Sequence, residues 1–172
     1  MALFIRALLA VATIAAAAVP ASADAEIRLA CTFDSEVQLS PGLTLGPAVG
    51  EYSGSGTIEC VGTADGETVN DEGAMSYAGT GGVSGPANDV LDGDSCIMGS
   101  GPGRLTVTLE TESGTPVTIE TDFDFVRLGV VGYATAEHTS AVFQFVPETG
   151  KDCVFSEIRT AHVTGQLGHV TS

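Results

Sequence analysis

Four cysteines, three histidines and 22 carboxylates are the groups in this 172-residue sequence able to do chemistry. The cysteines are Cys31, Cys60, Cys96 and Cys153, with no C-x-x-C pair and no histidine at ligand spacing, so a zinc site is disfavoured. In an oxidising compartment such thiols pair, and two disulfides are expected. Four cysteines allow three pairings. Partners close in sequence often share adjacent strands, which favours Cys31 with Cys60 and Cys96 with Cys153.

Nucleophilic chemistry finds little support. There is no G-x-S-x-G elbow, and Gly82-Val83-Ser84-Gly85 lacks the final glycine spacing. His138, His162 and His169 are scattered single histidines, more in keeping with surface or packing roles than with a triad. Glu120, Asp122 and Asp124 share one face of a strand with Glu110 and Glu112, yet a glycosidase pair sits in a cleft with aromatic platforms, and tryptophan is absent. A solvated ladder of charge is the better reading, and no catalytic residue is assigned.

Hard oxygen ligands for Ca²⁺ occur twice, at Asp89, Asp92 and Asp94 and at Asp65, Glu67, Asp71 and Glu72. Neither set has the spacing of an EF-hand loop or a nonapeptide calcium repeat, so acidic turns explain both equally well. No cofactor is required. Acidic residues number 22 against 6 basic ones, a net charge of −16 at pH 7. That balance excludes nucleic acid and anionic membrane surfaces as partners, since phosphate contacts need clustered Lys and Arg. Solubility accounts for the charge, and a cationic polymer or peptide is its functional alternative.

The elements that position these groups begin after an N-terminal leader. Arg6, an apolar block over 7–19 and the small residues Ala21-Ser22-Ala23-Asp24-Ala25 match a secretory signal peptide with cleavage after Ala23 or Ala25. The block is too short for a membrane anchor. Leu29-Ala30-Cys31 faintly resembles a lipoprotein processing box, but acylating Cys31 would leave an odd number of cysteines. Residues 1–25 are therefore read as a signal, 26–172 as a single all-β domain, and the location as secreted, extracellular or in the cell envelope.

Beyond the leader no apolar pattern repeats every three or four residues. Alternation dominates instead: Ile27, Leu29, Cys31, Phe33, Val37 and Leu39 are all odd-numbered, which is a half-buried strand with a break near Asp34-Ser35. Asp65-Gly66 is a two-residue hairpin turn between a strand over 55–63 and its return. Residues 73–83 suit a further strand, and 85–103 read as a long loop pinned by Cys96. Residues 104–126 form the clearest hairpin, with Leu105, Val107 and Leu109 facing Val117, Ile119, Phe123 and Phe125. Paired residues share a face, so their numbers must sum to an even value. A three-residue loop Ser113-Gly114-Thr115 satisfies this, with Gly114 left-handed, and it places Arg104 opposite Asp124 as an ion pair.

Strands over 130–138, 141–147 and 153–164 complete eight or nine, enough for a small antiparallel β-barrel or, alternatively, a β-sandwich. The barrel is preferred because closure hides edges. Inside it Val117, Ile119, Phe123, Phe125, Phe143 and Phe145 would line a small apolar pocket or simply fill the core.

Three further segments, 54–60 (Gly-Ser-Gly-Thr-Ile-Glu-Cys), Gly99-Ser100-Gly101 after Cys96, and Ala161-His162-Val163-Thr164-Gly165, give the chain a likeness. It resembles short exported actinobacterial proteins with four cysteines and glycine-punctuated strands. The resemblance implies a β-fold and an envelope or extracellular site, and nothing about activity.

The leading functional expectation is a non-catalytic binding domain for a small apolar ligand or an envelope component. One alternative is a cyclase- or isomerase-like barrel enzyme, which would need a roomy cavity and a buried ionisable residue such as Arg127, Glu137 or His138. Another is a self-associating surface protein, which would show a large apolar outer patch.

Overall fold

The computed structural model describes residues 27–82, 95–148 and 156–171. Its strands are β1 (Ile27–Leu43), β2 (Gly50–Ala64), β3 (Glu67–Gly81), β4 (Met98–Glu110), β5 (Pro116–Leu128), β6 (Val131–Ala136), β7 (Thr139–Pro147) and β8 (Ile158–Thr171). They pair antiparallel in chain order, and β8 closes onto β1 to make an eight-stranded barrel. The barrel expectation therefore holds over the sandwich. Residues 1–25, expected as a signal peptide, lie outside the described residues, as do Asp89, Asp92, Asp94 and Cys153.

Period-two burial runs through the wall as the sequence implies. Leu29, Cys31 and Val37 of β1 are buried while Arg28, Thr32, Asp34 and Glu36 are exposed. The expected break at Asp34-Ser35 does not occur, because Ser35 keeps the alternation and faces inward. Its hydroxyl donates to the Val163 carbonyl at 3.1 Å and shares a hydrogen bond with the Tyr77 hydroxyl at 3.1 Å. A buried hydroxyl so satisfied costs little. The strand continues unbroken to Leu43.

The turns follow their local chemistry. Asp65 and Gly66 have φ of 53° and 80°, the two left-handed residues that a tight hairpin with native twist demands. In the β4–β5 hairpin the even-sum rule holds, but the register is two residues from expectation. Arg104 lies opposite Asp122 and Glu110 opposite Pro116. The Thr111 N–H still donates to the Thr115 carbonyl at 2.9 Å, so the three-residue loop is Glu112-Ser113-Gly114. Gly114, with φ 83°, is its last residue. The left-handed position of such a loop is the third, not the second, and that single step moves the whole pairing. The Arg104–Asp124 ion pair is accordingly replaced: Arg104 meets Glu120 at 2.7 Å and Asp122 at 3.8 Å.

Glycines supply the larger correction. The segment expected as a loop over 85–103 already belongs to β4 from Met98 onward. Here and elsewhere, several inward glycines stand directly across the ladder from an aromatic residue. Tyr77 lies opposite Gly54 and Tyr52 opposite Gly79; Phe123 and Phe125 lie opposite Gly103 and Gly101. Phe143 pairs with Gly132 and Phe33 with Gly165. A methyl at Gly54, Gly103 or Gly132 would fall within the partner ring. Rings resting on bare backbone fill a narrow barrel without overpacking it, which is why these strands tolerate glycine.

Two groups of buried side chains result. One, around Leu29, Ile58, Val69 and Leu109, holds the Cys31–Cys60 disulfide, whose cysteines are direct partners across β1 and β2. Closing that 29-residue separation is worth about 3 kcal/mol. The other gathers Val37, Leu43, Tyr52, Phe145, Ile158 and Val163 at the opposite end. Two disulfides were expected and one is described; Cys96 is not a free thiol, and the Cys153 half of the second expected pair falls outside the described residues.

Candidate functional site

Strand length, rather than any motif, shapes the site. β5 has 13 residues and β8 has 14, but β6 between them has 6 and β7 has 9. The β6–β7 hairpin turns at Glu137-His138, with its last pair at Ala136 and Thr139. Pairing of β5 with β6 starts only at Phe123, and pairing of β7 with β8 reaches only Leu167. Among the described residues, no strand pairs with the remainder of β5, residues 116–122, on that side. The barrel wall is therefore interrupted beside the turn.

Inside the wall lies an apolar cavity of about 130 Å³, walled by Phe33, Tyr77, Phe123, Phe125, Phe143 and Phe145 among others. Its β6 wall is made by Ala134 and Ala136, whose methyls leave room that a larger residue would occupy. A dry cavity of roughly 150 Å³ lined by apolar side chains accepts a molecule the size of benzene. Next to it a cleft of about 270 Å³ reaches the interruption. Its floor is Ile27, Ile58, Val107 and Ile119, and its rim is Thr118, Glu120, Glu137 and His138. Cavity and cleft share Leu105, Thr121, Thr139 and Leu167, so the apolar lining is continuous from the rim to the barrel interior.

Of the six residues expected to line a pocket, Phe123, Phe125, Phe143 and Phe145 border the cavity. Ile119 belongs to the cleft, and Val117 packs against the disulfide-bearing core group. The alternation that put all six inward could not place them along the barrel axis.

Polar groups within reach of the cavity are few. Tyr77 and Tyr52 line it, and burial pushes the Tyr77 phenol above its ordinary range, keeping it a neutral donor. The Tyr52 hydroxyl donates to the Pro102 carbonyl at 3.0 Å. Arg127 is the charged side chain buried among the described residues, at 4% exposure. It donates to the carbonyls of Gly129 at 2.7 Å, Cys96 at 3.2 Å and Ser95, and its guanidinium stacks 4.6 Å from the Phe145 ring centroid. Arg127 thus laces the segment around Cys96 to the β5–β6 turn and seals that end of the barrel. Glu137 and His138 sit together in the exposed turn, 3.6 Å apart.

Two carboxylates of the acidic set Asp65, Glu67, Asp71 and Glu72 have structural employment. Glu67 accepts hydrogen bonds from Ser113 at 2.6 Å and Thr111 at 2.7 Å, and these hold its pKa below the ordinary carboxylate value. Asp71 accepts the Glu110 N–H at 2.8 Å. Both tie β3 to the β4–β5 hairpin. Glu120 and Asp122 face solvent on β5, as the ladder reading expected. His162 faces solvent, 3.8 Å from Asp34.

The outer face carries one further feature. Val126, Tyr133 and Val142 align across β5, β6 and β7, with Leu128 beside Val131 one row away. All five are exposed, Leu128 by 68%. No family model, curated protein or solved structure matches the chain, which leaves the cavity's own geometry and chemistry as the guide to what it does.

Proposed function

We propose that this barrel is a non-catalytic binding module that takes a small apolar ligand into its interior through the gap beside the β6–β7 hairpin. The observation that carries the reading is that inward-facing apolar residues at the gap, Ile119, Phe123 and Leu167, are only half-buried and lead without interruption into an apolar cavity. A filled core would cover such side chains. An apolar guest would do the same, gaining about 25 cal/mol for each Å² it removes from water. Disulfide formation at Cys31–Cys60 supports an oxidising, extracellular or envelope location for that activity.

An enzymatic reading has less behind it. The buried ionisable group, Arg127, spends three donors on main-chain carbonyls, and Glu137 and His138 lie outside the wall. Self-association has a specific observation in its favour, the exposed row of Val126, Tyr133 and Val142. A chain of charge −16 must overcome mutual repulsion to use it.

Titration with an environment-sensitive apolar fluorophore tests the leading reading. Saturable binding is expected, and Ala134→Leu, which places a branched side chain in the cavity, should weaken it at least tenfold. Unchanged affinity in that variant, or no binding by the parent, would overturn the reading. Sedimentation of the parent and of Tyr133→Lys separates the self-association alternative: a dimer that Tyr133→Lys dissolves supports it, and a monomeric parent at high concentration removes it.

A further inference from the structure

The rim of the gap says what kind of head group the ligand carries. Of the side chains at the mouth of the cleft, Glu120 and Glu137 are charged carboxylates, with Thr118, Thr139 and His138 between them. A shallow groove adjoins it on the outside of the wall, sharing Phe123, Thr135, Ala136 and Glu137 with the cavity or cleft and adding Asp122 and Asp124. Against these four carboxylates stands one guanidinium, Arg104, already engaged with Glu120 and Asp122. Glu137 is 83% exposed, with the His138 Nε2 3.6 Å from its carboxylate. The local field at the opening is negative, and it lies on top of a long-range negative field from the whole chain.

We infer that the cleft binds amphiphiles with an apolar tail and a cationic, ammonium-type head, the tail passing Ile119 and Leu167 into the cavity and the head remaining at the rim between Glu120 and Glu137. An anionic head of the same size would be held beside two carboxylates and repelled. This inference rests on the apolar-ligand reading above and adds the charge of the ligand to it. Two exposed carboxylates beside the head favour an ammonium over an uncharged head by about tenfold. The discrimination against a carboxylate head is larger still.

The test uses three ten-carbon probes below their aggregation concentrations, decylammonium, decanol and decanoate, measured by calorimetry with the full mature chain at low salt and at 0.5 M salt. Decylammonium is expected to bind about tenfold tighter than decanol, with decanoate weakest, and the gap should narrow in high salt as screening shortens the field. In Glu120→Gln/Glu137→Gln, two exposed positions whose neutral forms keep the fold, decylammonium should fall to the affinity of decanol. Equal affinities for all three probes, or an order led by decanoate, would overturn the head-group inference while leaving the apolar-ligand reading intact. Failure of every probe to bind would overturn both. Binding of decylammonium that persists in Ala134→Leu, or that methylammonium reproduces, is adsorption to the acidic surface and also overturns it.

Discussion

Along β2 and β3 inward glycines stand across the ladder from inward tyrosines, whereas β6 presents Gly132, Ala134 and Ala136 and its hairpin stops at Glu137-His138. On the first side Tyr77 lies on Gly54 and Tyr52 on Gly79, with no room for a methyl beneath either ring. On the second side the small side chains of Ala134 and Ala136 border the cavity. The outer faces differ too. Asp34, Glu36, Glu51 and Glu59 cover β1 and β2, while Val126, Tyr133 and Val142 cover the short strands. The contrast teaches that one alternating pattern can build both a packed wall and a penetrable one. Residue volume at the inward positions and strand length decide which.

Substitutions that add volume on each side would break or sharpen this contrast. Gly54→Ala places a methyl inside the Tyr77 ring, so it should destabilise the fold by about 2 kcal/mol, read as a lower urea midpoint. The opposite outcome, no change, would mean that the rings on the packed side are free to move away. Ala134→Leu adds more volume than that methyl but meets the cavity, and its midpoint should move by less than about 1 kcal/mol in either direction. A loss as large as that of Gly54→Ala would show the short-strand wall to be packed after all.

The smallest effect concerns acid. Hydrogen bonds from Ser113 and Thr111 lower the Glu67 pKa, so the carboxylate stabilises the β4–β5 loop most fully above its unfolded value, about 4.5. That contribution is lost as pH falls through the lower folded pKa. Amide exchange at Ser113 and Gly114, compared with a Glu67→Gln variant, should lose its protection difference as pH falls below the ordinary carboxylate range. A difference that persists undiminished in acid below that range would assign the protection to the backbone bond between Thr111 and Thr115 instead.

Much of the wall was legible because its signals are local. Odd-numbered apolar residues fixed the inward face of β1 and of β4–β5, since side-chain direction in a strand has a period of two and needs no partner. Asp65-Gly66 announced its turn through residues that accept positive φ. The nearness of Cys31 and Cys60 in an up-and-down order favoured their pairing. Less was legible in the site. Phe123, Phe125, Phe143 and Phe145 were placed inward correctly, but nothing marked Ala134 and Ala136 as the soft wall or Thr121, Thr139 and Leu167 as the link to the surface. Glycines inside strands were misread as punctuation, because a glycine under a ring and a glycine in a turn look alike until the opposite strand is known.

Amino-acid order alone determined the class of fold, the inward faces of β1 and of the β4–β5 hairpin and the net negative charge, all of which follow from side-chain chemistry and a two-residue repeat. Only the tertiary structure decided the register of β4 with β5, the burial of Arg127 and the gap beside β6. A shift of two residues leaves every face unchanged, so alternation is blind to it. Register and strand length emerge only when loops, ring-on-glycine contacts and barrel closure are satisfied together.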